Sequence, residues 1–555
     1  MVLPLFLKSV HSCFRKTSQS IDTIAVVIKM NKKKRSAMIL TIVTVSLCLV
    51  AWLSKPNTTN TIGSIVSGKT AVKEIYNVEK QNTIRKTLDE QIAQGSHSEN
   101  NALMVYNPFG TLSMYTYFTT AQGAKISYTI HVEDDKIADF TRTLNSDYTR
   151  THEYQLIGLI PDHENTITLH MEYEDGTNKD VTYTYTCGSL RGNESIQLEA
   201  KEGSSREELS DGLYVILGND SDEDDFMYYY DNNGILRGEV PIEGYRSHRL
   251  LFANERMYYS ISTNKMAEMD ALGQITNVFD LGNYDLHHDY VFDDNGDMLI
   301  LATDTTKDTV EDMIIRLDVS SGAVSQVVDM GDLFPTYKAS VYDKDNDELD
   351  WTHLNTIQWM GNNEILVSSR ETSTIVKITD IYGTPEIDYM MGEKTYWEDS
   401  DYADLLLDKA NSFTSQTGQH SITYVEDDSL ADGQYYLYMF NNNFGYSSTN
   451  TAYDWSQLNI PTEVKAEDAV SKYYKYLVDE SKGTYELADT FDVPYSPYVS
   501  SVQNIGGNTV VDSGMAFNFQ EYDSDHTLIR SFTMEGEKYI YRVYKYTFDG
   551  FYFNQ

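Results

Sequence analysis

Cysteine is nearly absent. Three occur in 555 residues, Cys13, Cys48 and Cys187, and only Cys187 lies in the part expected to fold outside a membrane. No intrachain disulfide framework and no CxxC metal site can be built from them. Basic residues are scarce too: 43 Lys and Arg face 84 Asp and Glu, a formal net charge of −41. That balance argues against nucleic acid or an anionic membrane face as partner. It also gives an anionic substrate no long-range steering, so any anion site must be local and built from a few donors. Proline is rare at 10 residues while tyrosine reaches 43. With many Thr and Val, this composition favours strands over helices. No P-loop or GxGxxG context occurs, and no cofactor is expected.

What is present is a long chain with 41% hydrophobic and 12% aromatic residues, enough for two or three domains with large cores. Its uncharged apolar run, Ala37–Leu53, follows Lys32-Lys33-Lys34-Arg35. That is the layout of a signal peptide or signal anchor, with translation starting at Met30. No small-x-small cleavage site follows, and Leu47 before Cys48 spoils a lipoprotein box. Residues 1–55 therefore read as a cytoplasmic stub and a signal peptide or membrane anchor, with residues 37–53 as the transmembrane helix. The basic flank stays in the cytoplasm, and the rest is extracytoplasmic, at the cell surface or in a periplasm. Residues 56–100 form a polar linker with a helical stretch near Ala71–Ala93. Val72, Ile75, Tyr76, Ile84, Leu88 and Ile92 fall near helical spacing there. The stretch reads as a stalk or as a helix packed on another subunit, such as a homodimer partner.

Residues 101–190 change character. Short alternating runs (LSMYTYF, KISYTIHV, HEYQLIGLI, TITLHMEY, VTYTYTC) are separated by turn signals. About seven short strands are expected, forming a small β-sandwich of fibronectin-III or Ig-like type. Over residues 205–555, hairpin signals recur at irregular intervals: Asp294-Asn295-Gly296, Gly361-Asn362-Asn363, Asp432-Gly433 and Gly506-Gly507-Asn508. Counting first strands from Gly212–Gly218 gives six units. The whole is an all-β chain, with a six-bladed β-propeller after the sandwich.

Histidines mark its axis. His248, His287, His288, His353 and His420 stand at the start of inferred first strands, as SHRLLF, HHDYVF, HLNTIQ and QHSITY. Innermost strands surround the axial channel, so residues at one phase of successive blades converge, and converging titratable groups mark a site. The stretch Asp350–Arg370 reads as a hairpin. Side chains alternate along a strand, which puts His353 and Asn355 on one face. A Gly361-Asn362 turn pairs Arg370 with His353, and an Asn362-Asn363 turn pairs it with Asn355. Either register brings an imidazole, an amide and a guanidinium together, which suits a sulfate or phosphate oxyanion. Three or four imidazoles could hold zinc. Arg370 would repel a cation, however, and no carboxylate but Asp289 shares their phase, so no metal is expected. The acidic runs Asp343–Asp347 and Asp220–Asp225 read as solvated loops.

The stretches DWTHLNTIQWMGNNEILVSSR, LHHDYVFDDNGDMLILA and GQHSITYV, with the late VVDSGMAFNFQEYD and YRVYKYTF, together resemble the bacterial arylsulfate sulfotransferase family. The resemblance implies a six-bladed propeller with an N-terminal sandwich. It also implies PAPS-independent, ping-pong transfer of a sulfuryl group from an aryl sulfate donor to a phenolic acceptor. His420 would be the nucleophile, forming an N-sulfohistidine. His353, Asn355 and Arg370 would hold the sulfuryl oxygens. Matching HHD to HLN favours His287 as the proton carrier, with His288 in reserve. His248 and Arg542 receive no role. The rival readings are a non-catalytic extracytoplasmic propeller that binds ligands or partners, and a hydrolase with water in place of phenol.

Overall fold

The computed structural model describes residues 69–218, 225–343, 345–346, 348–536 and 538–555. The apolar run 37–53 and its basic flank lie outside them. Among the described residues, no helix is long and apolar enough to cross a membrane.

The helical stretch near 71–93 is two helices, Lys69–Ile75 and Val78–Gln94. Asn77 separates them and caps the second, its side chain accepting from Lys80 N at 3.1 Å. An Asn cap satisfies one of the orphan amides at a helix start. The apolar side is not left for another subunit or a stalk. Ile84 and Leu88 are buried against Val105, Phe109 and Tyr115 of the following domain.

That domain has six strands between Leu103 and Thr186, one fewer than its turn signals suggest. The runs LSMYTYF and KISYTIHV belong to one long strand, Met114–His131. Its register against Thr149–Leu156 breaks between Thr119 and Ala124, so the intervening Gln122-Gly123 is absorbed as an irregularity instead of a turn. The corner after Leu156 is tied by Asn165, which accepts from Ile160 N at 2.7 Å and returns a bond to Ile160 O at 2.9 Å.

The propeller has six blades, each with one innermost strand. In order around the axis these are Val543–Tyr546, Leu251–Ala253, Tyr284–Phe292, Leu354–Gly361, His420–Val425 and Ser501–Ile505. The ring closes twice. Leu213–Ile216, the apparent first strand of the first unit, is second in its blade, and the late strand Val543–Tyr546 pairs inside it. Glu199–Glu202 completes the outer edge of the last blade by pairing with Leu528–Thr533. Closure of this kind protects sheet edges that would otherwise remain open.

The axis is fastened by a buried ionic node. Asp289 accepts from Arg249 Nε and Nη2 at 3.0 and 3.1 Å, from Arg542 Nη1 at 3.2 Å and from Ile357 N at 3.2 Å. Arg542 also donates to the Asn355 carbonyl at 2.7 Å. Removing one partner of a buried pair leaves the other charge uncompensated. Asp289→Ala is therefore expected to cost about 3–5 kcal/mol, measured as a lower urea midpoint with an unchanged m-value.

Candidate active site

The inner strands do not reach the axis as plain ladders. Register irregularities fall between Leu286 and Tyr290, between Leu354 and Thr356, and between His420 and Thr423. Next to them, His288, His353 and Ser421 have φ values of 56°, 47° and 56°. Non-glycine residues rarely adopt that conformation, and it clusters at functional sites. Three successive blades thus bend at one level and turn their histidines inward.

The hairpin follows the same rule. Its turn is Asn362-Asn363, with φ of 52° and 64°, and Gly361 pairs with Glu364. Positive φ at both central residues is what a tight two-residue hairpin needs. An unbroken ladder from that turn would put Arg370 opposite Asn355. Irregularities at Trp359/Gly361 and Leu354/Thr356 shift the register, and Arg370 N–H donates instead to the His353 carbonyl at 3.1 Å.

His420 is buried, and its tautomer is set by its neighbours. Nδ1 lies 2.9 Å from the Gly418 carbonyl and 2.8 Å from Asn442 Oδ1. Asn442 spends its amide hydrogens on the Ser496 and Val499 carbonyls, at 2.7 and 3.0 Å, so its oxygen must face the ring. Two acceptors at Nδ1 demand a proton there. Burial pushes the pKa of His420 down to about 3, and the cations His353, Arg370 and Arg542 add to the fall against the Asn442 bond. The ring is neutral near pH 7, with its lone pair on Nε2.

Arg370 is held without being consumed. Its nearest carboxylates, Asp350 and Glu371, are 3.7 Å away, and its guanidinium has no hydrogen bond among the described residues. Glu371 accepts from Ser447 and Thr449 through Oε1, at 2.8 and 2.7 Å, while its Oε2, which faces Arg370, has no hydrogen bond among the described residues. Asn355 is less free than the other two donors, because its Nδ2 donates to the Gln419 carbonyl at 2.7 Å. One amide hydrogen thus positions the segment that carries His420.

The histidine pair is buried beside His353. His287 Nδ1 and His288 Nδ1 are 3.1 Å apart, and the His288 and His353 rings meet edge-on at 4.7 Å. Burial lowers the pKa of both His287 and His288. The Tyr541 hydroxyl donates to the His288 carbonyl at 3.2 Å. His248 is fully buried, with both ring nitrogens unpartnered among the described residues, and it meets Tyr541 edge-on at 5.3 Å. His526 is elsewhere, 2.9 Å from Asp489.

Two carboxylates enter that strand phase did not reveal. Glu311, on the loop between Met298–Asp304 and Met313–Leu317, puts Oε2 2.7 Å from His353 Nδ1. Asp350, three residues before His353, puts Oδ2 2.5 Å from the same nitrogen. Burial and Arg370 press the His353 pKa down, but the two carboxylates prevail and raise it to about 9. Burial pushes the Glu311 carboxyl up, but its neighbours, His353 foremost and Arg370 among them, hold it well below its ordinary range. Asp350 had a legible signal, the DWTH spacing; Glu311 and Asn442 had none beyond their loops. His287, His288 and Glu311, and equally Glu311, Asp350 and His353, could converge on one metal ion. Both trios share Glu311, whose charge His353 and Arg370 already meet.

Known sequence families decide the affiliation. The family described as Arylsulfotransferase (ASST) matches residues 199–545, and the Arylsulfotransferase Ig-like domain matches residues 103–188. The chain belongs to the arylsulfotransferase family. No curated protein matches it in sequence. Among solved structures, it is similar to a putative 6-phosphogluconolactonase from Bacteroides fragilis NCTC 9343, at 10% identity and a TM-score of 0.32. That match covers 76% of this chain and 97% of the other. BamB from Moraxella catarrhalis is similar at 8% identity and a TM-score of 0.25, covering 73% of this chain and 98% of its own. In this arylsulfotransferase, the six residues singled out from the sequence stand on three successive blades.

Proposed function

We propose that this arylsulfotransferase moves a sulfuryl group from an aryl sulfate to a phenol in two half-reactions, through an N-sulfohistidine at His420 and without PAPS. The observation that carries the proposal is the His420 imidazole. It is neutral, with Nδ1 spent on two acceptors and Nε2 left with the lone pair. Such a ring is a good nucleophile near pH 7, and a covalent intermediate splits a difficult transfer into two easier steps. The moving group spreads negative charge over three oxygens. Arg370, the His353 imidazolium and the remaining amide hydrogen of Asn355 are the donors available to meet it.

The aryl part has a candidate platform. Phe444 stacks on Tyr446 at 5.8 Å and meets Tyr498 edge-on at 5.1 Å. Burial raises the Tyr498 pKa, and Arg370 is near enough to oppose the rise. An aromatic ring resting there would hold its sulfate ester near the guanidinium. We further propose that residues 37–53 anchor the chain, with the catalytic domain outside the cytoplasm.

Intact-mass analysis after mixing with an aryl sulfate and no acceptor tests the route. One added sulfuryl group, mapped to His420 and discharged by a phenol, is expected. Transfer between aryl sulfate and phenol with no modified enzyme at any time would refute the two-step route.

A further inference from the structure

Two-step sulfuryl transfer needs an acid as well as a nucleophile, and the identity of that acid rests on the sulfotransferase reading. A departing aryl oxygen must collect a proton, and its donor must hold one at working pH. Burial holds His287, His288 and His420 toward the neutral form. His353 is placed differently. Its Nδ1 is hydrogen-bonded to Asp350 Oδ2 at 2.5 Å, which requires an N–H there. Glu311 Oε2 lies 2.7 Å from the same nitrogen as a second negative charge without accepting a hydrogen bond. The charges point the same way. Glu311, Asp350 and the buried Glu371 bring three negative charges to this corner, and Arg370 returns one positive charge. A second proton on His353 offsets one of the two charges left over. The hydrogen bond of this ring to another described residue is made through Nδ1, which leaves Nε2 for a ligand. The family resemblance implied the HHD pair for proton transfer, but among the described residues no carboxylate lies at hydrogen-bonding distance from either ring. Glu311 Oε2 comes nearest His288, 3.7 Å from its Nδ1.

We propose that Glu311 and Asp350 are positioning residues that keep His353 doubly protonated, and that His353 is the acid for the departing phenolate and the base for the incoming phenol. In the first half-reaction, His420 Nε2 forms the N–S bond as the aryl O–S bond breaks. The leaving oxygen takes the proton from His353 Nε2, and Nδ1–H stays on Asp350. In the second, the phenol gives its proton to His353 Nε2 while its oxygen attacks sulfur. The N–S bond breaks, and its electron pair returns to His420. Both histidines end as they began, and no other reactant is consumed.

Two measurements test this. The first is a series of aryl sulfates whose phenols differ in acidity. His353→Gln should lose most activity on the poorest leaving groups and least on 4-nitrophenyl sulfate, giving a steeper dependence than the parent enzyme. Steepening in His287→Gln, His288→Gln or His248→Gln, with none in His353→Gln, would overturn the assignment.

The second is the pH dependence of kcat/KM for the donor, which reports the free enzyme. His353 has a raised pKa, so its proton is present at neutral pH and lost as pH rises through about 9. Glu311→Gln should move the basic limb down by about one unit or more, since an opposite charge this close contributes ~1–3 units. Glu311→Asp should restore part of the shift. The same transition followed by 15N NMR of labelled histidine needs no turnover. If His353 stays an imidazolium to the same pH in Glu311→Gln/Asp350→Asn as in the parent, the carboxylates do not hold the proton and the proposal fails. A parent enzyme that titrates as expected yet transfers no sulfuryl group would instead refute the sulfotransferase route and leave the proton placement standing.

Discussion

His420→Ala should lower transfer from an aryl sulfate to a phenol by about 10⁴-fold or more, the scale on which covalent enzymes lose rate without their nucleophile. The reason lies in how thoroughly the ring is prepared. Asn442 and the Gly418 carbonyl hold Nδ1–H, and burial keeps the ring neutral. No other imidazole near the axis combines neutrality with an enforced tautomer. His353 is charged, the HHD rings face each other through Nδ1, and among the described residues His248 has no partner to set its tautomer. A neighbouring histidine should therefore not substitute, and the variant should show no sulfuryl adduct by intact mass. Asn442→Ala is the graded companion. It leaves the Gly418 carbonyl as the sole acceptor at Nδ1, so the tautomer relaxes and the rate falls by a smaller factor. Steady-state rates with a chromogenic donor separate the two. A His420→Ala enzyme that still forms an adduct would move the nucleophile to another residue.

The fold class was legible because sandwich and propeller both write their strands as short alternating runs punctuated by Gly, Asn and Asp. Closure was not legible. Nothing local in Val543–Tyr546 marks it as the inner strand of the first blade, or Glu199–Glu202 as the outer edge of the last, because both depend on partners hundreds of residues away. The site was half visible. Histidines at one strand phase announced convergence, yet the period-two argument for His353, Asn355 and Arg370 assumed unbroken ladders. The turn is the two-residue one it required, and two irregularities still changed which residues face each other. Such irregularities are properties of pairing, and a single strand does not display them. Glu311 sits on a loop at φ 56° with no periodicity to read, although it sets the charge of His353. A reading confined to inner strands recovers the ring of bases and misses the acids that divide their labour.

Arg370→Ala should cost about 3 kcal/mol in transition-state stabilisation, a hundredfold or more in kcat, as when one preorganised oxyanion donor is removed. The guanidinium is 13% exposed, and 3.7 Å from its nearest carboxylates it keeps its N–H groups for a ligand. Arg370→Lys keeps the charge but loses the planar fork, so it should recover only part of the rate. The backbone bond from residue 370 to the His353 carbonyl survives either change, so the hairpin should stay in register and the loss should not reflect misfolding. The same guanidinium also acts on His353, whose pKa it lowers against the pull of Glu311 and Asp350. Removing it should move the basic limb of the pH profile upward, whereas Glu311→Gln should move it downward. Only a group flanked by both charges responds with opposite signs. If both variants shift the limb in one direction, some other group is titrating. If Arg370→Ala lowers the rate at every pH and raises the limb, the clamp and the acid are two functions of one cluster, coupled through a guanidinium that serves both.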